Sequence, residues 1–500
     1  MLQIVVIIAC GALIAYLARL IKPYVSAQIA RSKGSLPGGP PSYPIIGTLG
    51  IDDDEPWALM TKWNNLYGKD GMFTFFLGPQ LQVVITDAEL VRTLLKDPRL
   101  DGRPDTNLKR IFSSHALAFS EGTVWKDIRR FEIMALKDFG RGSGSKNLLE
   151  EYCQQAATDL VADVQEEAAR GAFSTRSAIL KCVANSIATT LCSTALKSDD
   201  PRFARLTDNV NVVFTEGTTP NSPLNVFPWL TAIPPFRQQQ ANVVSRITET
   251  LQMMQEVLDE HRANFDPDNV RDFMDAYLKE QTRHVDEGSA SSFTDRQLLF
   301  MSIEMYFAGL DATLATLQWG MLLLSSNPRV LAKCQEEIDR VLGSTVIPQY
   351  TERHLLPYCE AMMNEVSRIG TVDPFGLPHR CLEDTPILNY VIPKDATVIV
   401  NYHGIHMSEK LWKDPHTFRP ERFLDDQGKF QANPNNLPFA TGRRMCSGDN
   451  FAKMIVFISM VSLIQRFNFR RVDTKPWTEI KRINGVGVHP DEFMLTATVR

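Results

Sequence analysis

The fold of this chain is decided by the stretch Phe439-Ala-Thr-Gly442-Arg-Arg444-Met-Cys446-Ser-Gly448, which fits the pattern F-x-x-G-x-R-x-C-x-G at all five fixed positions. The two glycines let the backbone approach a flat cofactor closely, and Phe439 can shield the cysteine sulfur from water. Nearby arginines favour ionisation of a thiol, whose ordinary pKa is about 8.5. The loop therefore favours a metal-binding thiolate over a buried structural cysteine.

This loop resembles the haem-binding signature of the cytochrome P-450 superfamily, the haem-thiolate monooxygenases. The resemblance implies that Cys446 binds the iron of haem b and that its thiolate pushes electron density onto the iron, which favours O–O cleavage. Arg444 would neutralise the thiolate or turn toward another anion, such as a haem propionate. The implied fold is mainly α with a small β region, the cytochrome P-450 fold. The implied enzyme inserts one atom of O₂ into an apolar substrate and releases the other as water.

Length and composition fit a large globular protein. The 500 residues are 44% hydrophobic and 22% charged, which supports a sizeable core and excludes a chain that is mainly membrane. The net charge of −5 argues against a nucleic-acid partner. Eight cysteines without close pairing indicate reduced thiols rather than a disulfide framework or a zinc site.

The N-terminus predicts a membrane anchor. The segment from Leu2 to Ile21 is almost wholly apolar, and about 20 such residues suffice to cross a bilayer. Lys22 and later basic residues follow it, so the bulk of the chain should stay on the cytosolic side. We expect a single-span transmembrane anchor over residues 1–22, a basic and Pro/Gly-rich hinge over 23–44, and a haem-thiolate catalytic domain over 45–500. A cleaved signal peptide is the alternative.

The hinge also indicates the membrane in which the protein is anchored. Leu36-Pro-Gly-Gly-Pro-Pro41 is too rich in proline and glycine for a helix or a central strand. A similar segment follows the anchor in animal microsomal members of the family. The resemblance thus implies the endoplasmic reticulum membrane, with the catalytic domain on its cytosolic face.

A long helix is predicted over residues 295–326. Thr294 and Gln297 fit a capping box, and Asn327-Pro328 should end the helix after about 48 Å. Within it, Ala308-Gly309-Leu310-Asp311-Ala312-Thr313 resembles the family's oxygen-activation motif A-G-x-D/E-T-T. Asp311 and Thr313 are therefore the catalytic candidates.

Ala312 departs from that motif. The family usually has a threonine at this position, and its hydroxyl helps to deliver protons to dioxygen. Thr313 points about 100° further round the helix, so it cannot simply inherit the role. Either water or a substrate hydroxyl substitutes, or the reaction needs no external proton delivery.

Glu365-Val-Ser-Arg368 resembles the family's E-x-x-R pair. The same spacing at Glu167/Arg170 and Glu337/Arg340 is interpreted as surface helix pairs. Only Glu365 and Arg368 are followed by Phe418-Arg-Pro-Glu-Arg422-Phe423. The resemblance implies that Glu365, Arg368 and Arg422 form a buried ion network that braces the cysteine loop.

The haem propionates would need cations. Trp125-Lys-Asp-Ile-Arg129 resembles the family's W-x-x-x-R helix, which places an indole N–H and a guanidinium one turn apart. Further residues match propionate partners of animal microsomal members. The implied cofactor-binding set, with the loop included, is Arg103, Trp125, Arg129, His379, Phe439, Gly442, Arg444, Cys446 and Gly448. We interpret His403 and His406 as packing residues, since no third metal ligand accompanies them.

Electrons must come from another protein, because the chain has no dinucleotide or P-loop motif. We expect a separate NADPH-dependent flavin reductase on the same membrane, so that NADPH acts indirectly, with a small electron-transfer haem protein as a second donor. The acidic docking face of the reductase is expected to bind basic residues of this chain, an expectation that rests on the sign of the charges alone. These are Lys126, Arg130, Arg443 and Lys453.

The substrate is expected to be an apolar small molecule, namely a steroid, a fatty acid or a xenobiotic. Its pocket should draw on residues 104–123, 214–235, 307–313 and 374–378 and on Val486, most of which are apolar. Two alternatives stay open. One is a haem-thiolate isomerase or dehydratase that acts on a peroxide without NADPH, which the alanine at 312 favours. The other is a non-catalytic membrane binder of haem or sterol.

Overall fold

The computed structural model of the chain describes residues 2–51, 54–112, 115–141, 147–193, 201–217, 223–287, 292–344, 346–485 and 487–500. Most of these residues are helical. The α-helices are α1 (Leu2–Ser32), α2 (Pro56–Tyr67), α3 (Ala88–Leu94), α4 (Asn107–Phe112), α5 (Gly122–Arg141), α6 (Leu148–Ala169), α7 (Arg176–Cys192), α8 (Pro201–Gly217), α9 (Pro223–Val226), α10 (Phe236–Ala263), α11 (Phe273–Asp286), α12 (Asp295–Ser326), α13 (Pro328–Val341), α14 (Pro357–Gly370), α15 (Tyr402–His406) and α16 (Asp449–Arg466).

The strands are short and form small sheets. They are β1 (Met72–Leu77), β2 (Gln80–Ile85), β3 (His379–Arg380), β4 (Thr385–Ile387), β5 (Tyr390–Ile392), β6 (Thr397–Val400), β7 (Phe467–Arg471), β8 (Arg482–Ile483), β9 (His489–Pro490) and β10 (Leu495–Val499). The largest sheet has the order β1-β2-β6-β3, in which only β2 and β6 run parallel. The other pairs are β10 with β7, β4 with β5, and β8 with β9, all antiparallel. The predicted mainly α fold with a small β region is therefore confirmed.

Helix α12 is the central element and has the predicted bounds. The hydroxyl of Thr294 accepts from the N–H of Gln297 at 3.1 Å, which caps the first turn. The side chain of Gln297 does not return to the cap as a capping box would require; its amide donates to the carbonyl of His115 instead. Because α12 is apolar nearly all round, it is buried among α7, α10, α14 and α16.

The N-terminal helix is longer than the predicted anchor. Helix α1 continues through Pro23 to Ser32, and the stretch Val6–Ser32 is long and apolar enough to span a membrane, with a mean hydropathy of 1.8. The helix end then joins the globular part, because the Arg31 guanidinium donates to the Thr74 carbonyl at 2.9 Å. Leu36 is buried against the sheet region. The first part of the predicted hinge is thus helical, and the remainder is attached to β1.

Candidate functional site

The cysteine loop lies directly before α16 and closes on itself. The N–H of Cys446 donates to the carbonyl of Phe439 at 3.0 Å. Gly442 has a φ of +79°, and a Cβ there would collide with the carbonyl of Leu95. The loop therefore needs glycine at 442 both for its backbone conformation and for its contact with the end of α3. Gly448 is the residue before α16, whose N-terminus faces the loop.

The thiol of Cys446 is exposed although protein surrounds it, whereas the other cysteines of the globular part are buried. Burial raises the pKa of this thiol to about 11, and an N–H bond from Gly448 lowers it in part. Glu132 and Asp449 raise the pKa further, and Arg129 lowers it. The expectation that nearby arginines ionise the thiol is thus met only by Arg129 and is outweighed. Deprotonation would have to come from a coordinated cation.

Arg444 turns away from the thiol and toward the other side of the loop. Its guanidinium donates to the carbonyls of Asp101 and Ser120, each at 2.7 Å, and lies 3.9 Å from the ring centroid of Trp125. Its Nη1 is buried and has no hydrogen-bond partner. Burial and the nearby Arg103 lower the pKa of Arg444 to about 9. A buried donor with no acceptor is costly, so this position favours a bound anion.

Three further basic side chains, two arginines and a histidine, face the same region. Arg103 donates to the carbonyls of Ala118, Leu377 and Pro378 at 2.9 to 3.0 Å, and burial lowers its pKa to about 10. Arg129 donates to the carbonyl of Met445 at 2.5 Å, and burial lowers its pKa as well.

His379 completes this cation group. Its Nδ1 donates to the carbonyl of Leu100 at 2.8 Å, and burial together with Arg103 and Arg444 lowers its pKa to about 3. It comes close to Arg103 because β3 forms a bridge between Arg380 and Gly102. We call Arg103, Arg129, His379 and Arg444 the cation cluster. An anion such as a pair of carboxylates would relieve the repulsion among the three arginines and would favour the charged form of His379, which its low pKa otherwise leaves neutral.

The predicted ion network surrounds one buried carboxylate. Glu365 accepts from Arg368 Nε at 2.7 Å and from Arg422 Nε at 3.1 Å, and the backbone N–H of Arg419 donates to it at 3.0 Å. Arg368 and Glu365 are fully buried, and Arg368 lies 5.1 Å from the ring centroid of Trp412. Every charge in the network is paired, as a buried cluster requires.

His406 joins this network to the cysteine loop. Arg368 donates to its carbonyl at 2.8 Å, and its Nε2 accepts from the N–H of Leu437 at 2.9 Å. The Nδ1–H then donates to Thr371 at 3.0 Å, while burial lowers the ring pKa to about 3. His406 was expected to be a packing residue, and the correction is that it is a hydrogen-bond bridge. Only its position three residues after His403 stood out in the sequence, and that spacing suggests a metal site rather than a structural hydrogen bond.

Glu337 also departs from its expected role. It is buried, and its carboxylate accepts from the N–H groups of Tyr358 and Cys359 at 2.9 Å each. It therefore caps the start of α14 and is no surface ion pair. Arg170 is exposed and pairs with Glu166 rather than with Glu167.

Comparison with known proteins identifies the family. The model of the family described as Cytochrome P-450 matches residues 37–497. The chain belongs to the cytochrome P-450 family. It is 32% identical to cytochrome P-450 2J3 of Rattus norvegicus over 88% of this chain and 87% of that protein. It is 31% identical to cytochrome P-450 2J2 of Homo sapiens, over 93% and 92%, and 29% identical to cytochrome P-450 18a1 of Drosophila melanogaster, over 96% and 89%.

The family and its microsomal relatives support several predictions together. This cytochrome P-450 is a haem-thiolate monooxygenase, an oxidoreductase, and its relatives include animal microsomal members. A membrane anchor agrees with the exposed apolar helix α1.

Helix α12 of this cytochrome P-450 orients Asp311 toward the C-terminal segment. Its Oδ2 accepts from the N–H of Gly487 at 2.6 Å, and its Oδ1 lies 2.9 Å from His489 Nε2. Thr313 is buried, and among the described residues no hydrogen bond joins it to Asp311. The two predicted catalytic residues are therefore not brought together. His489 was missed because nothing local in the sequence connects residue 489 with residue 311.

A second acid on α12 was also missed. Glu304 Oε1 accepts from the N–H of Ala118 at 2.6 Å, while its Oε2 is buried without a partner. Burial raises the pKa of Glu304 to about 8, so the group is mainly protonated at neutral pH. The available signal was an acid in an otherwise apolar helix, seven residues before Asp311.

The structure describes part of the predicted substrate pocket. The segment 104–123 does meet α12, because the ring centroids of Phe112 and Phe300 lie 5.7 Å apart. Residues 113–114, residues 218–222 and Val486 lie outside the described residues.

Proposed function

We propose that this cytochrome P-450 binds haem b through Cys446 and through the cation cluster. Cys446 would be the thiolate ligand of the iron, and the cation cluster would hold the propionates, with Trp125 supporting Arg444. When bound, haem supplies reductive activation of O₂. The observation that carries this proposal is the convergence of three arginines, two of them buried and one of these with an unpartnered Nη1, and of the buried His379 beside an exposed thiol.

The remaining loop residues support the ligand rather than bind it. The ring centroid of Phe439 lies 4.9 Å from the ammonium of Lys453, and the ring would shield the sulfur of Cys446 from water. Gly442 and Gly448 have no side chain and would let the loop backbone approach the haem closely. The network of Glu365, Arg368 and Arg422 would hold the loop in place through His406.

We further propose that a separate NADPH-dependent flavin reductase supplies the electrons and binds beside α5. Lys126 and Arg130 are exposed there and lie four residues apart, hence on one face of the helix. Arg443 and Lys453 are the weaker part of this basic surface, because they pair with Asp101 and Asp449 at 2.8 and 2.9 Å. A small electron-transfer haem protein would use the same surface.

Charge reversal tests this surface. In the double variant Lys126→Glu/Arg130→Glu, NADPH-driven reduction by a microsomal flavin reductase should become slower and less sensitive to salt, because electrostatic steering is lost. Chemical reduction by dithionite should be unchanged. Lys62→Glu on α2, an exposed lysine away from α5, is the matched control. Equal rates in the double variant and the control would reject the surface.

The proposed substrate is an apolar small molecule, a steroid, a fatty acid or a xenobiotic, reached from the endoplasmic reticulum membrane in which α1 is anchored. Aromatic contacts between segment 104–123 and α12 support an apolar pocket, and the neutral form of Glu304 adds no charge to it. A screen of such compounds for a change in the haem absorption spectrum tests this class. Binding restricted to charged, water-soluble compounds would contradict it.

The alanine at 312, in place of the family's threonine, favours one alternative reaction, the isomerisation or dehydration of a peroxide. Product formation from an apolar substrate should require NADPH, reductase and O₂ together. Turnover of a lipid hydroperoxide without NADPH, at a rate that reductase does not raise, would favour the isomerase instead. Ligand binding with no turnover in either assay would favour a binder.

A further inference from the structure

Asp311 and His489 form a buried pair that the predicted oxygen-activation motif does not include. His489 lies on β9 and is 7% exposed, and its Nε2 is 2.9 Å from Asp311 Oδ1. Asp311 Oδ2 is already occupied by the N–H of Gly487. The pair therefore joins the middle of α12 to the C-terminal segment of the chain.

The next contact fixes where one imidazole proton is. Gln318, on α12, presents its Oε1 to Arg176 Nη1 at 3.1 Å and to His489 Nδ1 at 2.9 Å. A guanidinium can only donate, so the amide atom between the two must be the oxygen, which can only accept. His489 Nδ1 must then carry a proton.

With the proton on Nδ1, the contact between His489 Nε2 and Asp311 Oδ1 has two acceptors and no donor. A neutral imidazole with its proton on Nδ1 presents a lone pair at Nε2. A lone pair and a carboxylate oxygen would repel each other at 2.9 Å. The geometry therefore requires a second proton between Nε2 and Oδ1, either on an imidazolium beside a carboxylate or on a carboxylic acid beside a neutral ring.

The pair lies beside the position where the family's threonine is absent. Ala312 directly follows Asp311, and a Cβ on Gly487 would lie 3.7 Å from Ala312 Cα. Two charged side chains lie on neighbouring elements. Arg176, at the exposed start of α7, donates to Gln318, and Arg482 of β8 pairs with Pro490 next to His489 and donates its guanidinium to the carbonyls of Gly370 and Ile369.

We propose that the Asp311–His489 pair shares a proton between Asp311 Oδ1 and His489 Nε2, in addition to the one on His489 Nδ1, and supplies this shared proton to the O₂ reaction in place of the missing hydroxyl at 312. This inference rests on the proposed function. The proton leaves Asp311 toward the oxygen atom that becomes water, and solvent returns a proton to the pair. The electrons come from the flavin reductase. His489 acts through Asp311 and is thus a positioning residue.

Nitrogen-15 NMR of the full-length holoprotein in its ferrous carbon monoxide state, with labelled histidines, tests the proton count directly. The His489 signals are assigned by their loss in His489→Gln. We expect Nδ1 to be protonated and Nε2 to share the second proton with Asp311 at neutral pH. A neutral ring with its only proton on Nε2 would overturn the proposal, because the pair would then hold no extra proton.

Oxygen accounting with NADPH and a microsomal flavin reductase, without added substrate, is the second arm. His489→Gln should raise the ratio of peroxide to water by about ten-fold or more, because positioned acids contribute about 10²–10⁴-fold. Adding Ala312→Thr to that variant should return the ratio toward wild type, whereas a merely loosened segment would not be rescued. His416→Gln, at an exposed histidine, is the control.

An unchanged ratio in His489→Gln, with the thiolate carbon monoxide spectrum intact, would reject the proton pair and leave the proposed function standing. A wild-type protein that lacks this spectrum would instead reject the proposed function, and the NMR experiment would still show whether Asp311 and His489 share a proton.

Discussion

At the scale of single residues, the site brings together basic groups whose charged forms are disfavoured by burial. Burial lowers the pKa of Arg103, Arg129, His379 and Arg444, and nearby cations lower it further in three of them. Such an arrangement costs free energy unless an anion compensates it. The cation cluster is therefore better explained by a bound carboxylate cofactor than by folding alone.

Arg444→Gln should weaken haem binding by about 10–100-fold, since a hydrogen bond to a charged group contributes about 1.5–3 kcal/mol. Transfer of haem to excess apomyoglobin would measure the change as a faster loss. Arg443→Gln removes the neighbouring arginine, which pairs with Asp101 at the surface, and should transfer haem at the wild-type rate. Equal rates in the two variants would contradict the role of the cation cluster.

At the scale of elements, separate helices and loops are joined by a few buried polar bridges. His406 at the end of α15 connects Arg368 of α14 to Leu437, two residues before the cysteine loop. His261 of α10 connects to Asp272 at the start of α11 at 2.8 Å. Because these bridges are buried, losing one partner leaves the other unsatisfied.

His406→Ala should destabilise the holoprotein by about 1–3 kcal/mol, because the N–H of Leu437 loses its acceptor in a buried position. Urea unfolding followed by haem absorbance would measure the change. His416→Ala, at an exposed histidine, should stay within about 0.5 kcal/mol of wild type. A value for His406→Ala as small as that of the control would show that the bridge does not brace the loop.

The His261–Asp272 contact should give a pH-dependent contribution to stability. Burial alone would lower the pKa of His261, but the hydrogen bond and charge of Asp272 raise it above the ordinary 6.5. A raised folded-state pKa stabilises the protein fully below 6.5 and loses that contribution as the pH rises through the folded value. The stability cost of His261→Gln should therefore be larger at about pH 6 than at about pH 9. His354→Gln, at an exposed histidine, should show no such difference, and a cost that grows with pH would contradict the account.

At the scale of the whole molecule, α1 connects an exposed apolar stretch, the proposed membrane anchor, to the globular domain. Its exposed apolar length is followed by Arg31, which binds Thr74 of β1, and by the buried Leu36. The exposed apolar stretch and the globular domain are therefore joined by specific contacts, and the helix continues past the predicted boundary at residue 22 to Ser32.

Deletion of residues 2–22 should release the protein from membranes while leaving haem content and the thermal midpoint close to wild type. Deletion of residues 2–44 should lower the midpoint clearly, because the Arg31–Thr74 hydrogen bonds and the burial of Leu36 are lost. Carbonate extraction and thermal unfolding would measure both effects. Equal midpoints for the two deletions would show that residues 23–44 are only a linker.

The sequence predicted features that are encoded locally. The bounds of α12 follow from a capping threonine and a proline. The cysteine loop carries its pattern within ten residues. The pairs His489–Asp311, His406–Leu437 and Glu337–Cys359 could not be predicted, since each joins segments far apart in sequence and leaves no periodic or spaced pattern.

Ligation of haem iron by the Cys446 thiolate can be measured by the carbon monoxide difference spectrum of the reduced full-length protein. Wild-type protein and Cys10→Ser, which changes the exposed cysteine of α1, should both show the long-wavelength Soret band of thiolate ligation. Cys446→Ser should lose that band. Purified wild-type protein without porphyrin, or a Cys446→Ser variant that keeps the same band, would contradict the account.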